Sequence, residues 1–211
     1  MNFPHNPTGY SPSKEEQLEI IKICRKNDVY IFSDEMYRFL DHTQGANLPS
    51  MCDVYEKSIS LWGTSKTFGL AGVRIGWITS KDQGLLQKIE NFKDYLSICS
   101  SAPSEILATI ALNNLDYFLQ RNLEKIRHNI ELFQIFQKKH KALFDFQAPP
   151  TSSTAFVRFH LESSTAEFAE NLVKETGIML LPSEAFEYGT KHARIGFGRE
   201  NFPEVLAGLE Q

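Results

Sequence analysis

"SLWGTSKTFGLAGVRIGW", residues 60–77, sets one lysine, Lys66, among small residues, with Gly69, Gly72, Gly76 and Arg74 close behind it. A lysine on a solvated loop needs no such surroundings. One that must reach a reactive carbon beside a phosphate needs backbone that can come close, and glycine permits that approach. Apolar runs bound the stretch. "SISLW" (58–62) and "VRIGWITS" (73–80) read as strands, and upstream "VYIFSDE" (29–35) reads as a third that ends in acids. Ahead of them "SPSKEEQLEIIKICRKND" (11–28) reads as a helix, with Ser13 and Glu16 at capping-box spacing and Leu18, Ile21 and Cys24 on one face. Apolar strands alternating with helices predict an α/β fold, a mostly parallel sheet covered by helices. Ligands of such sheets sit beyond the carboxyl ends of the strands. Asp34 and Glu35, then Thr64, Ser65 and Lys66, fall at such ends.

Further along, 82–97, 103–117 and about 118–141 read as helices, and in the last of these Leu119, Leu123, Ile126, Ile130 and Phe133 form a single apolar stripe. After "QAPPTSST" (147–154) the pattern changes: "AFVRFH" (155–160), "GIMLLP" (177–182) and "ARIGFG" (193–198) read as strands, with helices over 164–176 and 201–210. That is a smaller α+β unit. The expected division is 1–125 and 126–211, linked by the long helix.

Composition narrows the function classes. The chain has 211 residues, 42% of them hydrophobic and 16 of them phenylalanine, enough for a sizeable core. A net charge of −4 gives no long-range attraction to nucleic acid or an anionic membrane. Cys24, Cys52 and Cys99 are scattered and unpaired in pattern, which suggests reduced thiols in a cytoplasmic protein. The six histidines have no metal-ligand spacing, so no metal is expected. No apolar run approaches the ~18 residues of a membrane span, and "MNFPHNPTG" lacks the regions of a secretory signal.

The polar candidates are Asn6, fixed between His5 and a proline turn, Asp34 with Tyr37 three residues later, Lys66 with Arg74, and Arg194 at the start of "RIGFG". Neither nucleotide fingerprint is met: Ser65 precedes Lys66 where GxxxxGK[ST] needs glycine, and "GLAGVRIG" fails GxGxxG. Phe186 and Tyr188 read as core of the small unit.

Taken in order, N-P-T-G (6–9), D-E-x-Y (34–37), S-K-x-F-G-L-x-G-x-R-x-G-W (65–77) and R-I-G-F (194–197) resemble the class I/II aminotransferases, pyridoxal-phosphate-dependent enzymes of fold type I. The resemblance runs from residue 1 to about 200 and implies a cofactor, pyridoxal 5'-phosphate, bound through its aldehyde to Lys66 as a Schiff base. It implies that Asp34 keeps the pyridine nitrogen protonated, that Tyr37 and Asn6 donate to the cofactor's phenolic oxygen, and that Arg74 grips its phosphate. Arg194 would hold the substrate carboxylate, the substrates being an amino acid and a 2-oxo acid. The position three before the lysine, often a phosphate-binding serine in the family, is Gly63 here, with Thr64 or Ser65 as substitutes.

The resemblance also implies that this chain begins within the large domain. An N-terminal half would then complete the cofactor's cradle and a homodimer. Decarboxylation, carbon–sulfur lysis or cyclisation would use the same lysine, aspartate and tyrosine. A non-catalytic remnant or assembly partner is the alternative of another class.

Overall fold

The computed structural model describes residues 1–42 and 48–210. Helix α1 (Lys14–Lys26) begins where the sequence places it, because Ser13 Oγ accepts from Glu16 N at 3.2 Å and Glu16 Oε2 accepts from Ser13 N at 2.7 Å. Its inward face differs from the expected one by a residue. Gln17 and Ile21 are buried whereas Leu18 is 52% exposed, since Gln17 Nε2 donates to Pro49 O at 3.1 Å and holds that face against the loop.

Strands β1 (Ile31–Asp34), β2 (Ser58–Gly63) and β3 (Gly76–Thr79) form one sheet in the order β1-β2-β3. β1 and β2 run parallel, and Asn2 extends that sense by a parallel bridge to Asp34. β3 returns antiparallel to β2. The link between them holds only a short 3-10 turn (Ala71–Val73) and no helix to carry a parallel crossover. Ile21 and Ile31 pack with Met51 of α2 (Met51–Val54) and with Tyr55 behind this sheet.

Helices α3 (Gln83–Ser97), α4 (Ala102–Asn113) and α5 (Leu115–Lys139) follow. The expected stripe of α5 turns inward, with Ile126, Ile130 and Phe133 buried, and Phe136 extends it. The second unit is a sheet of β4 (Phe144–Asp145), β5 (Thr154–Phe159), β7 (His192–Gly196) and β6 (Leu181–Pro182), in that order and antiparallel throughout, with α6 (Thr165–Thr176) and α7 (Phe202–Leu209). The strand expected over 177–182 shrinks to its last two residues, and Met179 is exposed. Phe133 stands at the centre of the core, ringed by Phe136, Phe144, Phe146, Phe197 and Phe202. Tyr37 and Leu40 belong to the same cluster, so the segment after β1 is built into the second unit's core. Among the described residues no helix is long and apolar enough to cross a membrane.

Candidate active site

Asp34 is the last residue of β1, and Lys66 follows the end of its parallel neighbour β2. The two therefore share the carboxyl edge of the sheet. The chain start is laid against that edge by Phe3 N donating to Asp34 O at 3.1 Å and Asp34 N donating to Met1 O at 2.8 Å. Asn6 is placed in turn by its own N–H, which donates to Asn2 Oδ1 at 3.0 Å. Thr151 Oγ1 donates to Gly9 O at 2.8 Å and pins this turn to the second unit.

The turn after β1 is fixed from below. Glu35 is buried, and its Oε1 accepts from Met51 N at 2.8 Å and Ser60 Oγ at 2.9 Å, while Oε2 pairs with Arg38 Nη1 at 3.3 Å. Asp34 Oδ1 accepts from Met36 N at 3.1 Å. Tyr37 is buried, and Lys66 Nζ lies 5.7 Å from the centre of its ring. Burial pushes the Tyr37 phenol above its ordinary pKa. The Arg194 cation opposes that rise and the Asp34 carboxylate adds to it.

Arg194 sits mid-strand on β7, paired with Phe156 on one side and Leu181 on the other. Its Nη1 donates to Asn6 Oδ1 at 3.3 Å, and its guanidinium lies 5.7 Å from the ring centre of Phe186. Phe186 is thus a half-buried platform beside the site, and Tyr188 is 60% exposed. Neither is the core residue its apolar character suggests. Phe156, mid-strand in β5 and itself half-buried, packs edge-on against both rings.

Within the Lys66 loop the roles divide. Lys66 itself is exposed and Ser65 half-exposed. Thr64 is fully buried, and its hydroxyl donates to Ile75 O at 3.0 Å, which makes it a holder of the loop rather than a surface available to a ligand. Arg74 is exposed, adopts a left-handed backbone with φ 57°, and donates from Nη1 to Ala71 O at 3.1 Å. Gly63, Gly69 and Gly76 serve the stretch's own packing, whereas a Cβ at Gly72 would meet open space. Gly63 faces Gly76 across β2 and β3, where a Cβ would fall 3.0 Å from Ile75 O. Gly69 has φ +68°, and a Cβ there would meet the Asn122 amide at 3.1 Å. A cleft of about 220 Å³ opens beside the loop, bounded by Ser65, Lys66, Asn122, Lys125, Ser153 and Gly198. Lys66 borders this cleft and lies near the ring of Tyr37, which the Arg194 charge also reaches.

The sequence matches the family described as Aminotransferase class I and II over residues 1–207. The chain belongs to that family. Among its relatives are capreomycidine synthase of Streptomyces vinaceus, 26% identical over 99% of this chain and 53% of the relative, and aromatic-amino-acid aminotransferase 2 of Thermococcus litoralis, 26% identical over 100% and 56%. Among solved structures, a PLP-dependent aminotransferase from Streptococcus suis superposes with a TM-score of 0.91 at 29% identity, covering 100% of this chain and 55% of that one. The PLP-dependent cyclase OrfR superposes at 0.88 with 26% identity, covering 100% and 56%. The class I/II chain spans about half the length of the relatives it matches.

Several residues that hold the site are absent from a reading of the sequence. Thr67 is fully buried, and its Oγ1 donates to Arg38 O at 2.7 Å while accepting from Trp62 Nε1 at 3.2 Å. This one hydroxyl ties the Lys66 loop to the turn bearing Asp34 and Tyr37. Asn122 and Asn129, two polar residues within the apolar face of α5, are the visible signal that the helix does more than pack.

Proposed function

We propose that this chain supplies the lysine-bearing part of a pyridoxal-phosphate-dependent aminotransferase, which moves an amino group between an amino acid and a 2-oxo acid. One observation carries the reading: Lys66, Tyr37, Asn6 and Arg194, far apart in sequence, meet at the carboxyl edge of the sheet beside Asp34. The donor set fits pyridoxal phosphate. It offers an exposed amine with no carboxylate partner among the described residues, an exposed guanidinium in Arg74, and a carboxylate and a phenol at the strand end. Asn6, Asp34, Tyr37, Ser65, Lys66 and Arg74 would hold it, with Thr64 shaping the loop behind them. When bound, the cofactor supplies an aldehyde and an electron-withdrawing ring.

The protein's own groups account for the rest. The Tyr37 phenol is protonated at neutral pH as any tyrosine is, and burial shifts it further that way, so it donates. Asp34 offers a carboxylate whose orientation is fixed by Met36 N. Arg194, steadied by Asn6 and Phe186, presents a fork to the substrate carboxylate. Lys66 Nζ would then take the proton from the substrate α-carbon and deliver it to the carbon of the cofactor's aldehyde. Once completed by an N-terminal half, the protein would assemble as a homodimer, and the apolar surface on α3 and α4, where Tyr95, Leu96, Ile106 and Ile110 are all exposed, is available to that half or to the second copy. The location is proposed to be the cytoplasm, on the reduced-thiol pattern; all three cysteines are free in the structure.

A cyclase is the second reading, favoured by the match to capreomycidine synthase and to OrfR. The same lysine, aspartate and tyrosine serve it, because the substrate's pose selects the bond that breaks. Product analysis separates the two. Completed by an N-terminal half, the protein with pyridoxal phosphate and an amino acid is expected to release the matching 2-oxo acid when a second oxo acid is present. Lys66→Ala should lower that rate by about 10³-fold, within the usual contribution of a placed base. A cyclised product with no oxo acid would move the assignment to the second reading, and equal rates in the variant would remove Lys66 from both.

A further inference from the structure

Asn122 and Asn129 lie two turns apart on one face of α5, about 10 Å along the axis. Both are buried, at 8% and 2% exposure, in a helix stripe otherwise apolar. Asparagine is a poor choice for a helix interior, since its amide competes with the backbone, and a buried amide must find partners. Neither amide bonds within its own helix. Asn122 Nδ2 donates to Thr67 O at 2.9 Å, the carbonyl of the residue next to Lys66. Asn129 Nδ2 donates to Phe197 O and Arg199 O, both at 2.8 Å, on the segment that leaves β7 just after Arg194. Between them Lys125 faces the same cleft as Lys66 and pairs with Glu200 at 3.1 Å.

We infer that Asn122 and Asn129 are positioning residues, and that α5 acts as a rigid spacer setting the separation of the Lys66 amine from the Arg194 guanidinium. The inference rests on the roles given to Lys66 and Arg194 above. Among the described residues the Lys66 loop and β7 share no direct hydrogen bond to fix their distance, but each is tied to one rung of the same helix. Gly69 belongs to this device, because a side chain there would displace the Asn122 amide. The two ties are separable: Asn122 governs the lysine end, Asn129 the arginine end.

The test uses pyridoxal phosphate with borohydride, mapping the label to Lys66, and L-alanine as a competitor whose amine takes the aldehyde from Lys66 and whose carboxylate Arg194 would grip. Asn122→Ala should slow Lys66 labelling roughly tenfold and leave the half-protecting alanine concentration unchanged. Asn129→Ala should leave the labelling rate and raise that concentration roughly tenfold. Asn122→Gln and Asn129→Gln, which keep the donor, should recover part of each effect. Both readouts moving together in both variants, or neither moving, would overturn the inference. If the unmodified protein takes no label at Lys66, the cofactor reading falls instead, and amide hydrogen exchange decides the spacer. Asn122→Ala should speed exchange at Gly69 and Leu70 alone and Asn129→Ala at Phe197 alone, whereas equal loosening at both ends would defeat it.

Discussion

The loop that carries Lys66 and the strand that carries Arg194 are held by opposite means. The loop is fastened by directional bonds from buried side chains to backbone carbonyls: Thr64 to Ile75, Thr67 to Arg38, Asn122 to Thr67. β7 is a central strand, bonded on both edges, and Phe197 just beyond it enters an aromatic core around Phe133. The lysine's place therefore depends on a few polar contacts, the arginine's on packing and a sheet ladder joined to α5 by the Asn129 amide. Substitutions that remove apolar volume should strike the Arg194 end, whereas those that remove single donors reach the Lys66 end through Thr64, Thr67 and Asn122 and the Arg194 end only through Asn129.

Phe133→Ala is expected to have the largest effect on stability, about 3–5 kcal/mol in urea unfolding, because it empties the centre of the aromatic core. If the division holds, a milder Phe133→Leu weakens the Arg194 end while Lys66 labelling persists. Thr67→Val keeps the shape and removes the hydroxyl, leaving the Arg38 carbonyl and Trp62 indole without that partner. A loss of about 1–3 kcal/mol is expected, with slower labelling of Lys66, and Thr67→Ser should restore most of both. Gly69→Ala comes next, at about 1–2 kcal/mol for the left-handed backbone. Its effect on labelling should resemble that of removing the Asn122 amide.

The smallest effect is a pH dependence at the seam between the units. His42 Nε2 donates to Ser152 O at 2.5 Å, and burial first, then the Arg127 charge, hold its pKa below the usual 6.5 against the opposing pull of that bond. The unfolded chain then binds the proton more readily. The stabilising contribution is present above pH 6.5 and is lost as pH falls through the lowered folded value. Urea midpoints between pH 7.5 and pH 5 should fall less steeply in His42→Gln than in the parent, and parallel slopes would contradict this.

The elements themselves were legible where the chain states its own local chemistry. The Ser13–Glu16 box starts α1 as its spacing requires, and the apolar stripe of α5 faces the core. Lys66, Asp34, Tyr37, Asn6 and Arg194 were visible through the order and spacing of their motifs, and the structure brings them to one edge of the sheet. What escaped was set by tertiary contact. The antiparallel return of β3 depends on its link, not on its apolar pattern. Leu18 is exposed because a glutamine took the inner face. Thr64 and Thr67 look alike as small polar loop residues beside a lysine, yet both hydroxyls turn inward to carbonyls distant in sequence or across the loop. Periodicity carries no information about such partners.

The most direct test of the site is to treat the purified protein with pyridoxal phosphate, reduce with borohydride and map the modified peptide. A single predominant adduct at Lys66, absent from Lys66→Ala and not transferred to Lys125 across the cleft, is the result expected. Labelling scattered over surface lysines, unchanged by Lys66→Ala, would show that the convergence of Lys66, Tyr37 and Arg194 does not create a reactive amine.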